Sequence, residues 1–496
     1  MKKLVFGCSV LSAFAALAVN VDSVLVRQDW PWSSTLKVEY RVSDTADKPF
    51  DATVAVFNGE TQVSAAVVKS ALLDGELYAV DGTESLHVLS FDPKVLFGNS
   101  VKAVPNVRVT VSAATSPESM TEVLYKIFDL EAAAGSSPLD ITRADLLNGK
   151  YGAIETDYSK IGTGFSTTLA PEDVLIWTDA VNYPGAKTTK LVMRKVPAAG
   201  KTFTFGSDSN EYGHQDNETK VQVKLTEDFF IGIFEFTQKQ FELIWGSDKD
   251  LWGLALQKFT WPGDAVAYHY QRNFIVRGAH DFREWSGKEN IDWPNNTSYP
   301  HTYHNDTICG KLRRKFGFVE FDLPTEAQWE FACRAGSATS LPSGREVGTA
   351  SDADSKINSY VQQCGWIYWY GATEAQRFVH EVGLKAPNAY GLYDMIGNVS
   401  EQCLDYMSAS TVSWASDSLV TDPVGPTSDL STHSASINNL RVFRGANYGT
   451  WYSSSRIAYR QYNYGGEGQP QKEQGFRLVI PASANGKWAS SPEKTH

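Results

Sequence analysis

Apolar and polar side chains alternate along much of the N-terminal part of the chain. Leu36-Lys37-Val38-Glu39-Tyr40-Arg41-Val42 repeats with period two, as do Ala52-Thr53-Val54-Ala55-Val56-Phe57 and Val107-Arg108-Val109-Thr110-Val111. That period belongs to strands with one face buried, and short turn clusters between the runs make them antiparallel. The pattern predicts a small all-β sandwich over 23–112, of immunoglobulin-like type. No polar cluster in it points to chemistry, so it reads as a spacer or adhesion module.

The pattern then changes. Ala113-Ala114-Thr115-Ser116-Pro117 and the Ala-, Gly- and Ser-rich stretch from Ala132 to Pro138 are loop-forming, and 113–146 reads as a linker. Beyond it the spacing switches to helical in two places. Thr237 and Gln240 have the spacing of a capping box ahead of Phe241, Leu243 and Ile244, and Thr325 and Gln328 repeat it ahead of Trp329, Phe331 and Ala332. Gly246 and Gly336 follow as left-handed closing residues. The rest of this region is rich in Gly, Asn, Trp and Tyr and predicts short strands joined by much loop.

Lys2 and Lys3 precede an apolar stretch from Leu4 to Leu17, and Ala16-Leu17-Ala18 fits a small-residue cleavage site. This predicts a signal peptide over 1–18 that removes Cys8. The stretch is shorter than the roughly 20 residues of a membrane helix, so no anchor is expected in the mature chain. The expected location is secreted, periplasmic or at the cell envelope. Cys309, Cys333, Cys364 and Cys403 remain, and in an oxidising compartment they permit one or two disulfides of undetermined pairing.

The 496 residues suggest two or three domains at roughly 100–200 residues each. Fourteen Trp, 22 Tyr and 25 Phe supply ample core. The net charge of −12 excludes a general nucleic-acid binder, which needs a basic footprint.

Six blocks carry a resemblance. In order they are Phe203-Thr204-Phe205-Gly206-Ser207, then Glu235 to Phe241, then Leu323-Pro324-Thr325-Glu326-Ala327-Gln328-Trp329-Glu330 continuing to Gly336. Pro387 to Glu401, which contains Gly391-Leu392-Tyr393-Asp394-Met395-Ile396-Gly397-Asn398-Val399, comes next, followed by Arg441 to Tyr448 and Gly475 to Val479. Together they resemble the formylglycine-generating enzyme (sulfatase-modifying factor) family. The resemblance implies an α+β, C-type-lectin-like fold over 147–482, with its motif-bearing core at 203–479 and a flexible tail at 483–496.

It also implies a structural calcium site made by Asp394, the carbonyls of Gly397 and Val399, and Glu401. These are hard oxygen donors around a tight turn, as calcium prefers. The family's oxidase holds copper(I) with two cysteines after its Arg-Gly turn, where soft sulfur suits that ion. Here the segment reads Arg444-Gly445-Ala446-Asn447-Tyr448-Gly449-Thr450-Trp451-Tyr452-Ser453-Ser454-Ser455, with no cysteine after Cys403. Thr450 and Ser455 stand at approximately the two cysteine places, so neither copper nor the family's chemistry is expected.

Tyr448, Thr450, Trp451, Tyr452 and Arg460, with Tyr462 and Tyr464 nearby, form a candidate ligand groove for a peptide, protein or glycan. Arg444, Arg460 and Arg477 read as partners of buried carboxylates. His301 and His304 lack a third metal ligand and read as loop histidines. The sequons at Asn217, Asn296 and Asn305 read as chance matches. The expected function is a non-catalytic binding or scaffold module. The alternative is an enzyme modifying exported sulfatases, or another substrate, by a cysteine-independent route.

Overall fold

The computed structural model describes residues 19–28, 33–98, 106–151, 185–245, 308–317, 319–349, 352, 354–368, 380–406, 419–423, 441–462 and 474–483. The expected signal peptide, His301, His304, Asn296, Asn305, Gly246, Tyr464 and residues 484–496 lie outside them. The chain divides into two compact units, one of residues 1–123 with 141–153, the other of 124–140 with 154–496.

In the first unit, strands β1 (Asn20–Gln28), β2 (Leu36–Ser43), β3 (Phe50–Asn58), β4 (Thr61–Gln62), β5 (Leu72–Asp74), β6 (Leu86–Phe91) and β7 (Val107–Thr115) form two sheets, ordered β1-β2-β6-β5 and β4-β3-β7. Neighbouring strands in both sheets are antiparallel, with β2 aligned Leu36 to Phe91 against β6 and β3 aligned Phe50 to Thr115 against β7. Val38, Tyr40 and Leu89 from one sheet and Phe50, Val56 and Val109 from the other share one apolar cluster. The period-two pattern is the reason, because every second side chain of β2 is buried. Short helices α1 (Ala65–Ser70) and α2 (Pro93–Phe97) also belong here, as does α3 (Arg143–Leu147), capped by a Thr142–Asp145 box.

The expected linker at 113–146 is corrected. Ala113, Ala114 and Thr115 end strand β7 and the Ala132–Pro138 stretch is loop; between them runs a strand, β8 (Val123–Asp129), and β9 (Leu139–Thr142) follows. β8 enters a five-stranded sheet of the second unit, ordered β21-β13-β10-β8-β9, with β10 (Lys190–Val196), β13 (Phe229–Gly232) and β21 (Val479–Pro481). The second unit therefore begins at Leu124, not at 147.

Three further sheets complete the described strands of this unit. β11 (Thr202–Phe205), β12 (Val221–Lys224) and β17 (Val420–Thr421) form one, and β14 (Gly365–Trp366) with β15 (Ile396–Gly397) a second. The third is ordered β19-β18-β16-β20, from β16 (Ser400–Tyr406), β18 (Arg441–Arg444), β19 (Gln461–Tyr462) and β20 (Gln474–Gly475). The described helices are α4 (Gln238–Trp245), α5 (Ile308–Lys315), α6 (Glu326–Arg334) and α7 (Asp354–Cys364). Helix and strand are thus mixed, with much loop between. None of the described helices is long and apolar enough to cross a membrane.

Both capping boxes form. Thr325 Oγ1 accepts from Gln328 N–H at 3.1 Å while Gln328 Oε1 accepts from Thr325 N–H at 2.9 Å, and Thr237 and Gln240 do the same. The left-handed turn after α6 starts one residue earlier than the sequence suggests, at Ala335 (φ 45°), and continues through Gly336.

Candidate functional site

Helix α6 is the anchor of the second unit. Glu326 and Glu330 lie one helical turn apart and so share a face. Arg444, from β18, donates to Glu326 Oε1 at 2.9 Å and also to Glu330. Arg460 binds Glu326 through Nε at 2.5 Å and Nη2 at 2.9 Å, and Arg334 binds Glu330 Oε1 through Nε at 2.9 Å. On β16, Glu401 accepts two bonds from Arg477, and Trp329 Nε1 adds a third at 2.7 Å. Burial works against these guanidinium charges, yet the facing carboxylates hold Arg444 and Arg477 above the ordinary arginine value. Charges so deep in a protein persist only when paired and hydrogen-bonded.

The Asp394–Glu401 turn sits on this frame. Gly397 (φ 78°) has to be glycine, since a Cβ there would meet the Trp366 carbonyl oxygen at 2.1 Å. Its N–H donates to Gly445 O at 2.6 Å. Glu235, which the sequence reading did not single out, holds the turn from below. It accepts from Asn398 Nδ2 at 2.7 Å and from Val399 N–H at 3.0 Å. In the sequence it stands only as the first residue of the second resemblance block, after the apolar run Phe229 to Phe234, with no role assigned to it.

Of the expected calcium ligands, Asp394 fits a cation. Its Oδ2 accepts from Gly383 N–H at 2.6 Å, and its Oδ1 is buried with no hydrogen-bond partner among the described residues. Glu401 fits less well, because Arg477 and Trp329 already engage both its oxygens. The described residues hold no cluster of three or more His, Cys, Asp or Glu placed for a metal. Burial pushes the Asp394 carboxyl up to about 6. Burial also drives Glu235 well above the ordinary range, reinforced by repulsion from Asp394 and Glu401.

The hydroxyls of Thr450 and Ser455, which the resemblance sets at approximately the two cysteine places, are occupied in turns. Thr450 Oγ1 donates to Asn447 Oδ1 at 3.1 Å and accepts from Asn447 N–H at 3.1 Å, and Ser455 Oγ donates to Trp451 O at 3.0 Å. The candidate groove needs correction. Tyr448 and Tyr452 are buried, and Arg460 is consumed by Glu326 and by the Asn217 carbonyl at 2.8 Å, so none of the three faces a ligand. Trp451 alone of the groove's aromatic residues among those described is open to solvent: it is 48% exposed, with the Tyr368 ring set edge-on at 4.7 Å between centroids. The Tyr368 N–H donates to Thr450 O at 3.0 Å, which fixes the pair.

The four described cysteines are buried free thiols, so the disulfides that the sequence permits do not form in this structure.

The profile of the "Sulfatase-modifying factor enzyme 1-like domain" family matches residues 181–482. The chain is 26% identical over 259 residues to the formylglycine-generating enzyme of Thermomonospora curvata, covering 49% of this chain and 81% of that protein. It is 28% identical over 191 residues to the chaperone protein LppX of Paenibacillus barcinonensis, covering 36% and 63% respectively. Against the formylglycine-generating enzyme of Streptomyces coelicolor the figures are 28% over 194 residues, 38% and 54%. The chain thus spans less than two thirds of the last two. Among solved structures, Treponema denticola variable protein 1 aligns with a TM-score of 0.39 at 18% identity, over 61% of this chain and 97% of that one. PvdO from Pseudomonas aeruginosa aligns with a TM-score of 0.37 at 23% identity, over 58% and 94%. The match over 181–482 takes in more than half of the chain, which therefore belongs to the sulfatase-modifying factor family of formylglycine-generating-enzyme-like domains.

Proposed function

We propose that this chain is an exported, non-catalytic binding module of the family, gripping a peptide, protein or glycan at the cell envelope. The observation that carries the reading is the state of the 447–455 segment. Thr450 and Ser455 offer hydroxyls already committed to turn hydrogen bonds, where the resemblance places thiolates. Hydroxyls do not replace sulfur as ligands for copper(I). Between them Trp451 projects an exposed indole braced by Tyr368, and aromatic side chains of this kind give large contact area with a polar edge. The chaperone name of one relative supports a role without turnover.

Export rests on the N-terminal Lys2, Lys3 and Leu4–Leu17 pattern. The immunoglobulin-like sandwich and the C-type-lectin-like frame are the finer architecture that goes with this reading. Calcium bound at Asp394, with the Gly397 and Val399 carbonyls, is its structural element; the buried Asp394 Oδ1, which has no hydrogen-bond partner among the described residues, supports it.

The test is direct. The purified protein is incubated with copper(I) and a sulfatase-type cysteine peptide, and the peptide is followed by mass spectrometry. An unchanged peptide is expected. Conversion of the cysteine to an aldehyde overturns the reading in favour of a cysteine-independent enzyme.

A further inference from the structure

The second unit contains a cavity of about 770 Å³, and a neighbouring one of about 510 Å³ shares Asp208, Glu211 and Ala338 with it. No described lining residue of either belongs to the 448–455 segment, so the larger cavity is separate from the Trp451 surface. Its size lies within the roughly 300–1,000 Å³ of small-molecule sites.

One wall is aromatic. Phe203 on β11 meets Phe331 on α6 edge-on at 5.2 Å between centroids, and Tyr390 extends the surface at 6.4 Å from Phe331. The lining also carries cations. Arg334 is fixed by Glu330 through Nε and Nη2, and Nη2 also donates to Gly206 O at 2.7 Å. Its Nη1 has no acceptor among the described residues. Lys201, also in the lining, is exposed and has no carboxylate partner among the described residues. The acids of the cavity are already neutralised, Asp208 by Lys220 at 2.7 Å and Glu211 by Arg456 at 2.6 Å.

We propose that this cavity binds a small organic carboxylate with an aromatic body. The body packs on Phe203, Phe331 and Tyr390, where aromatic contacts in edge geometry are favourable. The carboxylate takes the unused Arg334 Nη1 donors and the Lys201 charge; hydrogen bonds of this kind, with both partners charged, are about twice as strong as neutral ones. An aromatic amine of the same shape meets Arg334 and Lys201 with like charge and finds no unpaired acid. The site stands independently of the reading of Thr450 and Ser455.

The experiment uses the full-length mature protein and three probes: 3-phenylpropionate, 3-phenylpropylamine and propionate, titrated calorimetrically. Phenylpropionate is expected to bind saturably with one site, at least about tenfold tighter than either other probe. Ala338→Trp plugs the mouth from an exposed position and Lys201→Glu reverses the charge at that residue. Each is expected to weaken phenylpropionate binding by about tenfold or more without lowering Tm. The proposal is overturned if the amine binds as well as the acid, if phenylpropionate shows no saturable binding, or if Ala338→Trp binds it undiminished.

Discussion

Arg477 grips Glu401 through two parallel hydrogen bonds, Nη2 to Oε1 at 2.5 Å and Nε to Oε2 at 2.6 Å, with both side chains fully buried. Removing one partner leaves the other charge stranded in a dry interior. Arg477→Met or Glu401→Leu is therefore expected to cost about 3–5 kcal/mol of stability. The double variant should cost clearly less than the sum of the two, as a denaturant titration of all three will read. Strict additivity would contradict the pairing.

Thr325→Ala removes half of the reciprocal cap on α6. A loss of about 1 kcal/mol is expected, with Thr325→Ser restoring most of it. Equal stability of the Ala variant and wild type would mean that packing of Trp329 alone holds the helix start.

Burial raises the thiols of Cys333 and Cys403 well above the free value and pushes Cys364 up to about 12. A raised thiol holds less thiolate, which is the reactive form. Alkylation of the native protein should therefore stay slow between pH 7 and pH 9, where a free cysteine peptide accelerates. Unfolded without reductant, Cys309, Cys333, Cys364 and Cys403 should all titrate as thiols, four in a chain prepared without residues 1–18. A count of two or none would establish disulfides.

Trp451→Ala alters an exposed ring and should leave Tm unchanged while abolishing ligand capture by the Trp451 surface. In the same segment, Thr450→Cys combined with Ser455→Cys is expected to confer copper(I) binding that wild type lacks, read by competition with a chromophoric chelator. Tight binding by wild type would refute the substitution argument.

If a cation sits on Asp394, a chelator should lower the Tm of wild type and leave Asp394→Asn unmoved. An unshifted wild-type melt speaks against the calcium site.

Strands β2, β3 and β7 were legible because one face of each is buried and the other wet, so alternation survives in the letters. β8 was not: Val123-Leu124-Tyr125-Lys126-Ile127-Phe128-Asp129 is covered on both sides along much of its length, which erases the period, and the Ala- and Ser-rich segments on either side, one the end of β7 and the other a loop, both read as a linker. The caps of α4 and α6 were visible because a capping box is local. Glu235 was not, since its partners Asn398 and Val399 lie 163 and 164 residues away. For Tyr448, Tyr452 and Trp451 residue type could not decide, as the same ring serves core or surface. Only the backbone around Asn447 settles which of them points outward.

The two carboxylates of α6 receive guanidinium groups from positions 334, 444 and 460. Segments far apart in the chain are thereby rooted in a single turn of helix. Loop closure becomes only slowly more costly as a loop lengthens. Insertions and deletions between those roots can therefore accumulate while the roots stay in place, so relatives can diversify what they recognise without rebuilding the scaffold that presents it.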